Sequence, residues 1–181
     1  MGLHCIIGEN VRIGRNVVMG NMCIIEDGVT IGDDVRMDHF CVIGKGARIG
    51  DRCVLRSHIE LRSDTVMGTD CYVDSGVLSS GKNIIGNKVT LRYNAIIARG
   101  CQISDDVYIC PQVMTNNLDH TGKEVGGAHI GKGCFIGTNS TIGAGITLAS
   151  KSVIGSKAMV TRSIEEAGVY MGVPAKWVRA L

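Results

Sequence analysis

The stretch Thr115–His129, TNNLDHTGKEVGGAH, gathers side chains able to do chemistry in an otherwise monotonous chain. His120 brings an imidazole whose unperturbed pKa, about 6.5, lies close to working pH, so it can accept a proton from an attacking group. Asp119 beside it could orient a ring somewhere nearby. An alcohol is a poor nucleophile near neutral pH and needs such a base; an amine, already deprotonated in part, needs far less help. A largely polar excursion of fifteen residues from a regular scaffold is also where function is expected.

Metal and thiol chemistry are read more plainly. Eight cysteines include no C-x-x-C pair, so a zinc site has no support. Seven of them (Cys5, Cys23, Cys41, Cys53, Cys71, Cys101, Cys134) share one position of the repeat described below, which predicts reduced, buried thiols acting as small hydrophobes. Cys110 is off that register and is expected to be structural rather than nucleophilic. The other histidines, His4, His39, His58 and His129, read first as surface or interface polarity.

The element that must position the polar loop is a repeat. From Ile7 every sixth residue is aliphatic as far as Ile109, Ser79 excepted; the frame breaks after Met114 and resumes three residues out of phase from Ile130 to Val160. In these 24 hexads the second position is Gly twelve times, and the fifth is Val, Cys, Ala, Ser, Thr or Ile everywhere except Asn83. Each hexad is one short strand plus a turn, and three make a triangular coil of 18 residues stacked on the next at the usual strand spacing of about 4.8 Å. Glycine at the second position is expected to serve turn conformations that a Cβ would obstruct. No coil can bury its apolar face alone, so about eight coils must stabilise one another. The expected organisation is a β-helix over residues 1–165, interrupted by the loop at 115–129, and a tail over 166–181.

Composition narrows the function classes. With 19 basic and 17 acidic residues there is no excess favouring nucleic acid or an anionic membrane. No apolar run approaches the roughly 20 residues of a membrane span, and the start MGLHCIIGEN lacks a leader pattern, so a cytoplasmic protein is expected. Outward positions read as mixed Arg, Asp, Asn, Lys and His, not as the flat threonine arrays of an ice-binding surface.

The hexads IGENVR-IGRNVV and IGKGAR-IGDRCV resemble those of the hexapeptide-repeat acyltransferases, over nearly the whole chain. That resemblance implies a left-handed parallel β-helix, an exception to the right-handed rule for parallel crossovers. It also implies a homotrimer with sites between subunits and acetyl-CoA as co-substrate, without a metal. The order of loop, two coils and G-x-P-A-K within GVYMGVPAKWVRAL resembles the sugar-directed acetyltransferases. Aligned on the tail, the residues implied to contact the cofactor are Thr138, Ser156, Thr161, Arg162, Pro174, Lys176 and Arg179. Small residues there admit a thin pantetheine arm, and Arg162, Lys176 and Arg179 suit its phosphates.

Galactoside and maltose O-acetyltransferases carry their general-base histidine in T-H-P-L-D, where this chain has Thr115-Asn116-Asn117-Leu118-Asp119. Asn116 cannot accept a proton. The stretch IGNKVTLRYNAIIARGCQISDDVYICPQVMTNN resembles instead the nucleotide-amino-sugar N-acetyltransferases, which implies that Asn94 and Asn116 hold the acceptor amine. Those enzymes commonly continue with Pro-Arg or Pro-Lys, where this chain has Asp119-His120. MDHFCV around His39 is similar to the A-H-D-C-V-I-G segment of some β-helix acyltransferases, with Phe40 in place of the Asp. The H-x-x-x-x-H spacing of the γ-class carbonic anhydrases is absent. The resulting expectation is acetyl transfer to the amine of a nucleotide-linked sugar for surface polysaccharide synthesis. O-acetylation with His120 as base and a non-catalytic β-helix scaffold stand as alternatives.

Overall fold

The computed structural model describes residues 1–181. Twenty-five two-residue strands run from Ile6–Ile7 to Met159–Val160, and apart from one insertion each pairs in parallel with the strand 18 residues further on. The result is a left-handed parallel β-helix of three faces, with no α-helix. The first face, from Ile6–Ile7 to Met159–Val160, has nine strands; the second, from Arg12–Ile13 to Thr147–Leu148, has eight; the third, starting at Val18–Met19, has ten. The corner that follows each face is named after it below.

The corners correct one expectation. The left-handed backbone sits at the fourth position of the hexad, where eighteen non-glycine residues have φ between 52° and 63°. Many are Asn or Asp, which tolerate this region best. Second-position glycines are needed for close approach instead: a Cβ on Gly8 would lie 2.6 Å from Asp27 Oδ1 and 2.7 Å from the Asp27 nitrogen, atoms of the next coil. Third-position Asp and Asn then tie coil to coil. Asp27 Oδ1 accepts the Glu9 N–H at 2.9 Å, and Asp33 Oδ1 accepts that of Arg15 at 2.7 Å.

First and fifth positions point inward and form one apolar core of 42 buried residues. All eight cysteines are free thiols and all but the half-buried Cys5, in the end coil, are buried. Cys23 Sγ donates to the Asp38 carbonyl at 3.2 Å and Cys41 Sγ to that of Arg56 at 3.0 Å, each 15 residues on, on the next coil. At these fifth positions a small side chain fills the corner and also donates weakly to the next coil. Burial pushes the Cys41 thiol up to about 12.

Asn83, the exception in the repeat, occupies the same place with a stronger donor: fully buried, it donates from Nδ2 to the Ala98 carbonyl at 2.6 Å, again 15 residues on. Its Oδ1 accepts from Ser79 Oγ at 2.6 Å, Ser79 lies 3.1 Å from Thr65 Oγ1, and Thr65 donates to the Arg62 carbonyl at 2.8 Å. The two irregularities of the sequence, Ser79 and Asn83, are thus one buried, satisfied polar ladder.

The first face departs from the mixed polar exterior expected. Its outward column reads Ile6, Ile24, Val42, Glu60, Leu78, Ile96, Met114, Thr141 and Met159, seven of nine apolar. The second face presents Arg12, Thr30, Arg48, Val66, Ile84, Gln102, His129 and Thr147. The two classes separate only when outward residues are sorted by face, 18 apart, rather than taken every six.

The interruption is also shorter than Thr115–His129. Thr115 is buried in the first face, in register with Ile142, and His129 stands in the second, between Gln102 and Thr147. What projects is a small hairpin in which Leu118 bridges Glu124 and the Val125 N–H donates to the Asn117 carbonyl at 2.9 Å. In the tail, Val169–Met171 joins the third face beside Val153–Ile154, and Lys176–Arg179 folds back antiparallel on it.

Candidate functional site

Asn116 begins the hairpin on the first corner, pinned by its N–H to the Ile142 carbonyl at 3.0 Å, while its side-chain amide has no partner within the subunit. Asn116, Asn117 and Leu118 line a cavity of about 320 Å³ whose floor is Thr115 and Ala98. That floor is fixed from inside: the Ala98 N–H donates to Thr115 Oγ1 at 2.8 Å, and the Ala98 carbonyl is the one held by Asn83. A second cavity of about 340 Å³, lined by Glu60, Arg62, Ser63 and Arg99 among others, meets the first at Ser80.

The hairpin turn disposes of Asp119 as a partner for His120. Asp119 Oδ1 accepts from the Thr121 N–H at 2.8 Å, the Thr121 hydroxyl at 2.6 Å and the Lys123 N–H at 3.0 Å. The Thr121 hydroxyl, then these N–H groups, hold the carboxyl below its usual range. His120 is exposed at the tip without a hydrogen bond. His39 is committed to the scaffold, its Nδ1 accepting the Asn21 N–H at 2.9 Å, and His58 stacks on Phe40 with centroids 4.8 Å apart. His4 and His58 occupy left-handed corner positions.

Asn94 lies elsewhere. It is a left-handed residue, φ 56°, on the third corner, exposed and packed over Gly76, itself at φ 76°, where a Cβ would collide with the Asn94 amide. One subunit therefore does not bring Asn94 and Asn116 together. Beside Asn94 stand groups that the loop-centred reading missed. Arg92 Nε meets Asp74 Oδ2 at 2.6 Å, and a terminal nitrogen of Arg92 donates to the Tyr108 hydroxyl. Asp74 is 1% exposed, so this is a buried carboxylate with its counter-charge. The signal was present: Asp38, Arg56, Asp74 and Arg92 alternate in charge at 18-residue spacing. Cys110, next on that column, is buried and its thiol pushed up by burial, as befits a structural residue.

The residues aligned with cofactor contacts divide. Thr138 and Ser156 stack on the third corner, where the Lys157 N–H donates to the Thr138 carbonyl at 2.9 Å. Pro174 follows a cis peptide bond, and the Ala175 N–H next to it donates to the Met159 carbonyl at 2.7 Å, which sets this segment against the last strand of the first face. Lys176 and Arg179 lie exposed on the final strand. Thr161 and Arg162 follow Val160 onto the first corner, a different edge of the prism from Thr138. No group of three or more His, Cys, Asp or Glu is disposed to hold a metal ion.

Among solved structures the chain is similar to a UDP-N-acetylglucosamine acyltransferase, with TM-score 0.69 at 16% identity over 95% of this chain and 70% of that one. It is also similar to the UDP-N-acetylglucosamine O-acyltransferase (LpxA) of Moraxella catarrhalis RH4, with TM-score 0.60 at 21% identity over 98% and 69%. A third is a maltose O-acetyltransferase of Clostridium difficile 630, with TM-score 0.52 at 23% identity over 61% of this chain. The chain spans 66% of the length of that enzyme, just under two thirds. At these identities the likeness is one of fold. Sequence profiles go further: that of the GMPPB C-terminal domain matches residues 1–93, more than half of the chain, and that of the bacterial transferase hexapeptide (six repeats) matches residues 127–162. The chain belongs to the GMPPB C-terminal domain family, and residues 127–162 carry the bacterial transferase hexapeptide repeat.

Proposed function

We propose that the protein is a homotrimeric acyltransferase that moves the acetyl group of acetyl-CoA to the amine of a nucleotide-linked sugar, working in the cytoplasm in surface polysaccharide synthesis. The observation that carries this reading is the division of the site. An unpartnered amide at Asn116 and its cavity lie on the first corner, whereas Asn94, Thr138 and Ser156 lie on the third. A second copy packed on the apolar first face supplies the missing half, and a three-fold arrangement repeats that junction three times. The acyltransferases among the similar structures support the same chemistry.

In this reading the pantetheine arm runs along Ser156 and Thr138, whose small side chains admit it, and Lys176 and Arg179 meet its phosphates. Asn116 and Asn94 of adjacent subunits orient the acceptor amine. The amine attacks the thioester carbonyl, the tetrahedral oxyanion collapses, and the carbon–sulfur bond breaks; the departing thiolate takes up the proton that the amine loses. A second reading, transfer to a sugar hydroxyl, is favoured by His120, free of partners at the hairpin tip and available as a base.

The test is thiol release from acetyl-CoA in the presence of nucleotide-linked 3-amino and 4-amino sugars beside hydroxyl acceptors. Turnover on an amine supports the proposal. Turnover on hydroxyls alone selects the His120 reading, and silence together with no coenzyme A binding refutes both in favour of a non-catalytic β-helix.

A further inference from the structure

The acyl-transfer reading leaves the second cavity unused, and its chemistry differs from that around Asn116. Arg99 lines it half-buried, with one hydrogen bond, from Nη1 to the Ser80 carbonyl at 3.3 Å, and no carboxylate within ion-pair distance; the two carboxylates of the lining are engaged elsewhere, Glu60 with Arg62 and Glu26 Oε2 with the Lys45 N–H at 2.7 Å. Across the cavity Arg62 is engaged with Glu60 through Nε alone, at 2.7 Å, which leaves both terminal nitrogens as free donors. A guanidinium drawn partly out of water without a counter-charge costs free energy unless an anion completes it.

The cavity is also firmly built. The carbonyls of Arg62 and Ala98, residues that flank it, are held from inside by Thr65 and Asn83. At Gly81, φ 93°, the chain passes so close to the neighbouring coil that a Cβ would lie 2.7 Å from the Ser63 carbonyl oxygen. Four of the seven buried polar residues of the protein, Thr65, Ser79, Asn83 and Thr115, lie beneath these two cavities. A concentration of four of the seven buried polar residues beneath one groove is what a rigid ligand site requires.

From these observations we infer that the cavity at Arg62, Ser63, Ser80 and Arg99 binds the phosphate oxyanions of the acceptor, while its reacting group lies in the adjoining cavity at Asn116. The inference rests on the proposed acyl transfer for the identity of the ligand as acceptor, but the anion site stands on its own geometry. Arg99 supplies an uncompensated fork of donors, Arg62 a second set, and Ser63 and Ser80 are small enough to let a phosphate approach the backbone.

The experiment is isothermal titration calorimetry on the intact protein, saturated with coenzyme A, using UDP and pyrophosphate in one arm and glucuronate in the other. The expected result is binding of both phosphates, a loss of tenfold or more in affinity in Arg99→Ala, partial recovery in Arg99→Lys, and unchanged coenzyme A affinity. Arg62→Ala gives a smaller loss. The inference is overturned if neither phosphate binds a protein that binds coenzyme A, if Arg99→Ala binds them as well as the parent, or if glucuronate binds equally well. A protein that fails to bind coenzyme A yet binds pyrophosphate in an Arg99-dependent way retains the anion site and loses the transferase reading.

Discussion

Replacing Asn83 by Val tests whether the polar ladder is an integrated unit or a tolerated irregularity. Asn83 makes two hydrogen bonds of 2.6 Å in a fully buried position, and its removal leaves the Ala98 carbonyl and the Ser79 hydroxyl short of a partner. Each buried unsatisfied group costs about 1–3 kcal/mol, so Asn83→Val is expected to destabilise by about 2–6 kcal/mol. At roughly 2–4 °C per kcal/mol in a chain of this size, the melting temperature falls by about 4–24 °C. Valine itself fits the site class, since Val35 and Val89 occupy the same hexad position, fully buried or nearly so. The triple variant Thr65→Val/Ser79→Val/Asn83→Val removes the stranded hydroxyls as well and is expected to be more stable than the single variant by at least about 1 kcal/mol. Urea unfolding followed by circular dichroism, with protein concentration held fixed, measures both. If the triple variant is as damaged as the sum of its parts, or if Asn83→Val costs nothing, the ladder is not acting as a unit and the argument for a built groove loses its support.

Other expectations concern different parts of the molecule. Cys41, its thiol pushed up to about 12 by burial, stays protonated in the folded state where an unfolded thiol has ionised. Its contribution to stability is therefore complete below about pH 9, declines as pH rises and is lost through pH 12, so unfolding free energy measured by urea between those values should fall with pH, and less so in Cys41→Ala. Asp74→Ala removes a carboxylate that is 1% exposed and bound to Arg92; its melting temperature should drop by about 6–20 °C, against less than about 2 °C for Asp33→Ala on the second corner. Asn116→Ala should lower kcat/KM on an amine acceptor by about 100-fold, whereas His120→Ala should leave the pH–rate profile unchanged; the reverse pattern would select hydroxyl transfer. If the proposed trimer forms through the apolar first face, Leu78→Lys and Met114→Glu on that face should reduce its sedimenting mass from three chains to one and abolish turnover, and an intact trimer in both would remove that face as the contact.

The fold was legible because the signal is periodic and every period repeats the same physics. An aliphatic first position, a small fifth and a Gly-rich second can only be satisfied together by stacked short strands, and the break after Met114 marked the insertion. What misled was the reading of single positions without their coil. The second-position glycines look like turn residues in a line of text. In the stack most of them are points where the next coil's backbone comes within 2.5–2.8 Å of a would-be Cβ, and the left-handed turn two residues later is carried by residues such as Asn10, Asp34 and Asn94. Asn94, singled out by resemblance for the acceptor, has this corner role whatever its chemistry.

The site was less legible for a geometric reason. A linear motif reports neighbours along the chain, but on a three-faced prism the neighbours in space are 18 apart on one corner, and residues six apart point to different edges. Thr115-Asn116-Asn117 and the stretch around Asn94 can be read as one site only if two chains are imagined, since they lie on different corners of one. The same geometry hid the alternating Asp38–Arg56–Asp74–Arg92 column, the seven apolar residues of the first face and the unpaired Arg99, none of which is conspicuous in its own hexad. Sorting each hexad position by corner makes all three visible, and it separates two demands that the repeat superimposes. The inward positions specify the helix. The outward columns, free of that constraint, are where a second chain and an acceptor can be specified, so an outward column that departs from its neighbours is the more informative place to look for function.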